Sequence, residues 1–168
     1  MNSARTLRTL KHLFAPHWIV RRAFPRRALD AIEAAISASE KTHDGELRFA
    51  VEAGLHPLPL VRGQTARGRA QEVFAHLRVW DTEHNSGVLI YVQLVDRRIE
   101  IVADRGIGAK VPQHEWDAIC RQIEGAFRRR EFEAGTLAGI GEVTRLLAAH
   151  FPPRADNPNE LSDQPVVL

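Results

Sequence analysis

Apolar residues recur along this chain with two different periods, and the periods assign its elements. From 26 to 42, Ala28, Leu29, Ile32, Ala35 and Ile36 recur at helical spacing, and His43-Asp44-Gly45 ends the run with Gly45 as a left-handed cap. In Glu46–Glu52, Leu47, Phe49 and Val51 alternate with polar residues, the pattern of a half-buried strand. Residues 53–63 hold two prolines and two glycines and read as loop. Helical spacing resumes with Ala66, Ala70, Val73, Phe74 and Leu77 and reaches Trp80, before the polar loop 81–87. Val88–Val95 is nearly all apolar, as in a central strand, and Asp96-Arg97 turns the chain into a second strand, Arg98–Asp104. A two-residue turn pairs Ile90 with Ala103, Val92 with Ile101 and Leu94 with Ile99, putting all six apolar residues on one face.

Pro112 opens a helix striped by Trp116, Ile119, Ile123 and Phe127. A last helix runs from about 131 to 150 on Phe132, Leu137, Ile140, Val143 and Leu147. Gly135, Gly139 and Gly141 weaken it and imply close packing or a kink. At the other terminus, residues 4–14 put Leu7, Leu10 and Phe14 on one face of a short helix and Arg5, Arg8 and Lys11 mostly elsewhere. Such a helix fits either an anionic lipid surface or its own domain. The predicted order is α-α-β-α-β-β-α-α. The β-α-β unit gives parallel pairing and the hairpin one antiparallel strand, so the fold class is α/β, a mixed, mostly parallel small sheet flanked by helices. The expected organisation is a basic arm (1–25), one domain (26–150) and a disordered tail (151–168), polar and proline-containing after Pro152-Pro153.

Charge changes this picture at one end. Residues 1–29 carry seven bases and no acid (+7), whereas the remaining 139 carry 16 bases and 21 acids (−5), for a net +2. A basic arm on an acidic body points to an anionic partner for Arg5, Arg8, Lys11, Arg21 and Arg22, with an anionic membrane surface among the candidates. No run approaches the ~20 apolar residues of a membrane span, and no secretory signal is visible. The expected location is therefore cytoplasmic, peripheral to the inner membrane. Cys120, the single cysteine, lies in an apolar helical stripe and reads as a buried, inert thiol.

The chain resembles the TPM domain family, named after thylakoid-lumen and photosystem II repair proteins and a nematode membrane modulator. Four features over roughly 26–150 carry the resemblance: a Glu-containing strand after a helix, a helix ending in aromatics (Phe74 to Trp80), Asn85-Ser86-Gly87-Val88-Leu89-Ile90, and the turn Asp96-Arg97-Arg98 leading to Asp104-Arg105-Gly106. The second loop departs from the pattern: Asp81-Thr82-Glu83-His84 stands where the family is usually Gly-rich. The resemblance implies an association with calcium, an acid phosphatase activity described for a plant member, and neighbouring membrane proteins of the LemA type.

Topology selects the candidate chemistry. Parallel strands start at one edge of a sheet, and the antiparallel third strand returns to it. That edge gathers His43, Asp44 and Glu46, then Asp81, Glu83, His84 and Asn85, then Asp104. Carboxylates and an amide suit a hard cation such as calcium, which takes six to eight oxygens. Asp81 and Asp104 lead, with Asn85 and Glu46 beside them, and His84 follows because calcium disfavours nitrogen. The same residue types also form turns and caps. The opposite edge carries Glu52, His56, Arg62, Arg67 and the helix start at Gly63-Gln64-Thr65, a weaker anion site without a nucleotide fingerprint. No G-x-S-x-G or H-E-x-x-H is present. The expected function is a non-catalytic binding module docking at a membrane-associated complex; the alternative is a divalent-cation-dependent phosphatase with Asp81 and Asp104 on the metal.

Overall fold

The computed structural model describes residues 18–55, 63–155 and 158–168. The amphipathic segment 4–14, with Arg5, Arg8 and Lys11, lies outside them, as do His56 and Arg62. Leu47–Glu52 (β1) and Val88–Gln93 (β2) pair in parallel, with Phe49 opposite Ile90. Arg98–Ala103 (β3) runs antiparallel on the far side of β2, and Val166–Val167 (β4) adds a short parallel edge beside β1. The strand order is β3-β2-β1-β4. The helices are Trp18–Ala23 (α1), Arg26–Glu40 (α2), Ala66–His76 (α3), Arg105–Gly108 (α4), Gln113–Arg128 (α5) and Phe132–His150 (α6). This is the mixed α/β class that the periodicities predict. Among the described residues, no helix is long and apolar enough to cross a membrane.

Both faces of the sheet are covered. On one, Leu47, Phe49, Val51, Val88, Ile90, Val92, Ile99 and Ile101 join residues of α2, α5 and α6 in the main core. On the other, Ala50, Leu89, Tyr91 and Val102 pack with Ala70 and Val73 of α3 and with Leu161, Val166 and Leu168. The expectation of a half-buried first strand is therefore corrected: Arg48 and Glu52 are buried too, because α3 and the C-terminal segment cover the face the alternation marks as wet. The disordered tail is corrected with it. Glu160 and Leu161 bond to Glu46, and Val166 lies opposite Ala50.

The hairpin register is corrected by two residues. Ile90 faces Ile101, Val92 faces Ile99 and Gln93 faces Arg98, leaving 94–97 as a four-residue loop. A slip of two keeps every side chain on its own face, so hydrophobicity excludes odd slips only. The loop closes through a left-handed Arg97 (φ 52°) whose N–H donates to Leu94 O at 3.2 Å.

Glycine sets the closeness of α5 and α6. A Cβ on Gly139 would lie 2.4 Å from Ile123 Cδ1, and one on Gly135 2.6 Å from Ala126 Cβ. Phe24 packs at a steep angle against the rings of Phe49, Phe127 and Phe132 with centroids 5.5–6.0 Å apart, which ties α1 to the core. Cys120 is partly buried, and burial pushes its thiol up to about 12, so it stays protonated and unreactive.

Candidate functional site

The three predicted segments do meet at the N-terminal ends of β1 and β2. Val88 N–H donates to Glu46 O (2.8 Å), Asp104 N–H to Gly87 O (2.8 Å), Gly106 N–H to Asn85 O (3.0 Å), and Ser86 Oγ to Asp44 O (3.2 Å). The side chains at this end divide into separate groups, each with its own partners.

Asp44 contacts Arg154 Nε at 2.9 Å and His84 Nδ1 at 3.5 Å, and the same guanidinium reaches Glu83 at 3.0 Å. Arg154 holds the Glu83 carboxyl below its usual range. His43 is fully buried; Gly45 N–H donates to its Nδ1 (3.2 Å), so the neutral ring carries its proton on Nε2 and donates to Ser39 Oγ (2.8 Å). Burial lowers the pKa of His43, which keeps the ring neutral. Asp81 lies apart, exposed and paired with Arg78 at 2.6 Å.

Asn85 adopts a left-handed φ of 52°, and its Oδ1 accepts from Arg105 Nε at 2.8 Å. Asp104 caps α4 through Oδ1, which accepts from Arg105 N–H at 2.7 Å. Its Oδ2 is buried and has no hydrogen-bond partner among the described residues. Glu46 accepts from Glu160 N–H (3.0 Å) and Leu161 N–H (3.1 Å). Among the described residues, no three His, Cys, Asp or Glu side chains come together as a metal-holding group. A cation taking Asn85 and Asp104 would have to displace Arg105 from Asn85, and would find Asp81 and Glu46 engaged elsewhere.

Sequence reasoning missed the partners. Arg154, Glu160 and Leu161 come from the segment expected to be disordered, and no local signal ties them to the sheet edge. It also missed a buried group on the α3 side: Tyr91 donates to the Glu52 carboxylate, which also accepts from Arg69 Nε at 3.1 Å. Burial and the Glu52 charge push the Tyr91 phenol up, so it acts as a donor. Arg67, expected at an anion site, instead contacts Glu100 at 3.7 Å and the Ile101 carbonyl.

Two carboxyls here make stability depend on pH. Burial, reinforced by Glu46, raises Glu40 to about 9, and burial raises Glu46 to about 7. Both values lie above the unfolded 4.5, so the folded state holds these protons more tightly. The associated stability is complete below pH 4.5 and is lost as pH rises through 7 and on toward 9. Glu40→Gln keeps an acceptor for Leu47 N–H and removes the need to take up a proton on folding. Thermal melts at pH 8 should place this variant roughly 3 °C or more above wild type, with the gap closing by pH 5. A constant gap across that range would show that Glu40 is already ionised in the fold. Comparison at each pH cancels the contribution of His43.

The opposite end of β2 is basic. Arg21 and Arg22 are exposed on α1, whose Val20 and Ala23 are buried. Leu94, Arg97, Arg128 and Arg130 join Arg22 around a pocket of about 320 Å³.

Comparison with known proteins fits this architecture. The TPM domain family matches residues 22–146. The BA42 protein from the psychrophilic bacterium Bizionia argentinensis is 30% identical, with a TM-score of 0.75 over 84% of this chain and 93% of that one. The N-terminal domain of a P. gingivalis protein shares the fold at 16% identity, with a TM-score of 0.58 over 72% of this chain and 76% of that one. No curated protein matches. With three quarters of its length matched and the sheet, the Asn85–Ile90 strand start and the Asp104 turn in place, the chain belongs to the TPM domain family.

Proposed function

We propose that this TPM domain is a non-catalytic docking module whose basic pole engages the anionic surface of a membrane or membrane-bound complex from the cytoplasmic side. The observation that carries this reading is the charge separation along β2. Arg21, Arg22, Arg97, Arg128 and Arg130 gather toward the hairpin end, while Asp44, Glu46, Glu83 and Asp104 lie at the other end. Such an asymmetric field orients a protein at an anionic surface.

Cosedimentation with vesicles tests it. The full chain should bind vesicles containing phosphatidylglycerol, not pure phosphatidylcholine, and binding should fall steeply as salt shortens the Debye length from ~30 Å at 0.01 M to ~8 Å at 0.15 M. Glutamine at Arg5, Arg8 and Lys11 should weaken binding by about fivefold per residue. Substitution is preferable to deletion through residue 22, because Val20 belongs to the core. Equal partition into both vesicle types would refute the reading.

The buried, unpartnered Asp104 Oδ2 supports a second reading, a divalent-cation-dependent phosphatase. It requires chelator-sensitive hydrolysis of a phosphate monoester that Asp104→Asn abolishes; hydrolysis indifferent to both removes it.

A further inference from the structure

We propose that the pocket at the hairpin end of the sheet, floored by Leu94, Phe127 and Phe132 and rimmed by Arg22, Arg97 and Arg130, seats the phosphate-bearing headgroup of an anionic phospholipid. The inference rests on the docking reading above and gives it a site and a ligand class.

Three observations converge on this pocket. The first is unspent charge. Arg22, Arg97 and Arg130 pair with no carboxylate among the described residues. Glu131 and Glu133 are committed elsewhere, to Arg129 at 2.8 Å and to Arg27 at 3.3 Å. Arg128, also at the rim, reaches Glu124 only at 3.9 Å.

The second is backbone conformation. Arg97 (φ 52°) and Arg130 (φ 64°) both occupy left-handed positions where glycine or asparagine is favoured. Arg97 closes the hairpin loop. Arg130 follows the C-cap of α5 in a Schellman arrangement, with Arg130 N–H on Phe127 O (3.0 Å) and Glu131 N–H on Ala126 O (3.0 Å). Neither side chain makes a hydrogen bond or ion pair among the described residues. Two arginines from distant parts of the chain thus sit in disfavoured conformations without an internal partner, around the same cavity. Left-handed residues of this kind cluster at ligand-holding sites.

The third is the mixture of surfaces. The floor is aromatic, with Phe127 and Phe132 edge-to-face at 5.0 Å, and Trp18 stands at the mouth 57% exposed. An indole at a rim suits the water–lipid boundary. A bare inorganic anion would use the arginines and leave the aromatic floor unused. The segment before α1 is a poor occupant, since residues 1–17 hold three bases, Arg5, Arg8 and Lys11, and no acid and would bring like charge to the rim. An amphiphile with an anionic head and an apolar stem uses both surfaces.

The test is amide and indole NMR of the full chain titrated with dihexanoyl phosphatidylglycerol below its micelle concentration. Inorganic phosphate and dihexanoyl phosphatidylcholine are titrated in parallel. Saturable shifts at Trp18, Leu94 and Arg97 are expected with the anionic lipid alone. Arg97→Gly and Arg130→Gly place the favoured residue at each left-handed position, so both variants should fold. Each should weaken lipid binding about fivefold. Equal shifts with inorganic phosphate would overturn the lipid assignment in favour of a simple anion site. Undiminished lipid binding by both glycine variants would make the arginines mere turn residues and overturn it as well. Absence of pocket shifts while the full chain still sediments with anionic vesicles would end the pocket proposal and leave the docking reading standing. Failure of the wild-type chain to bind anionic vesicles at all would end both.

Discussion

Replacing Gly87 by alanine should destabilise the domain by roughly 3 kcal/mol or more, at the upper end of overpacking costs. A Cβ there would lie 1.9 Å from Val79 O, with Val79 C and Cγ1 both at 3.0 Å. The obstacle is backbone, which no rotamer change can clear. α3 ends in a tight turn through left-handed Arg78 (φ 55°), with Val79 N–H on Phe74 O at 3.0 Å, and this turn lays the fully buried Val79 against the start of β2. Moving Gly87 away would strain its carbonyl's bond to Asp104 N–H (2.8 Å), which joins the β2 and β3 ends of the sheet. Gly141 is the matched control, exposed within α6 with nothing within 4 Å of its added Cβ. Gly141→Ala should stabilise by about 0.5–1 kcal/mol through helix propensity and a less flexible unfolded chain. Urea melts of the two variants should move in opposite directions. A Gly87→Ala midpoint within error of wild type would mean that Val79 and β2 are not in contact in solution.

The same glycine shows what the amino-acid pattern can and cannot convey. Asn85-Ser86-Gly87-Val88 is visible as a strand start, and the glycine marks a special backbone position. What approaches it, a carbonyl eight residues upstream, follows from the turn after α3 and is not written locally. Helices α2, α3, α5 and α6 and strands β1, β2 and β3 are legible because each carries an apolar stripe of its own period. Topology also shows that three loops share one edge. The two-residue register error and the hidden second face of β1 share a cause: period two reports which side of a strand is apolar, but not which of several equivalent pairings is used or what lies over the polar side. Arg48 and Glu52 read as wet because their cover, α3 and residues 158–168, is specified elsewhere. The candidate site fails to be legible for a similar reason. Asp44, Glu46 and Glu83 look like free oxygen donors until Arg154, Glu160 and Leu161, more than 70 residues away in sequence, are brought onto them.

Truncation after Phe151 should cost about 2–4 kcal/mol, the sum of partial burial of three apolar side chains and a few hydrogen bonds. For a chain of this size, that lowers Tm by roughly 5–15 °C. The lost groups are specific. Leu161, Val166 and Leu168 pack on the Ala50–Tyr91 side of the sheet, Leu168 N–H donates to Val51 O at 3.0 Å, and the N–H groups of Glu160 and Leu161 hold the Glu46 carboxylate. Removal also turns β1 into an open edge strand beside apolar Ala50 and Val51, so the truncated chain should aggregate at concentrations where the full chain does not. Hydrogen exchange gives an independent reading without truncation. The Leu168 amide, immediately after strand β4, should exchange more slowly than the amide of exposed Arg154. A disordered tail predicts the reverse: unprotected Leu168, an unchanged Tm on truncation and no new tendency to associate. Slow exchange at Leu168 together with a lowered Tm would establish that the last residues complete the sheet.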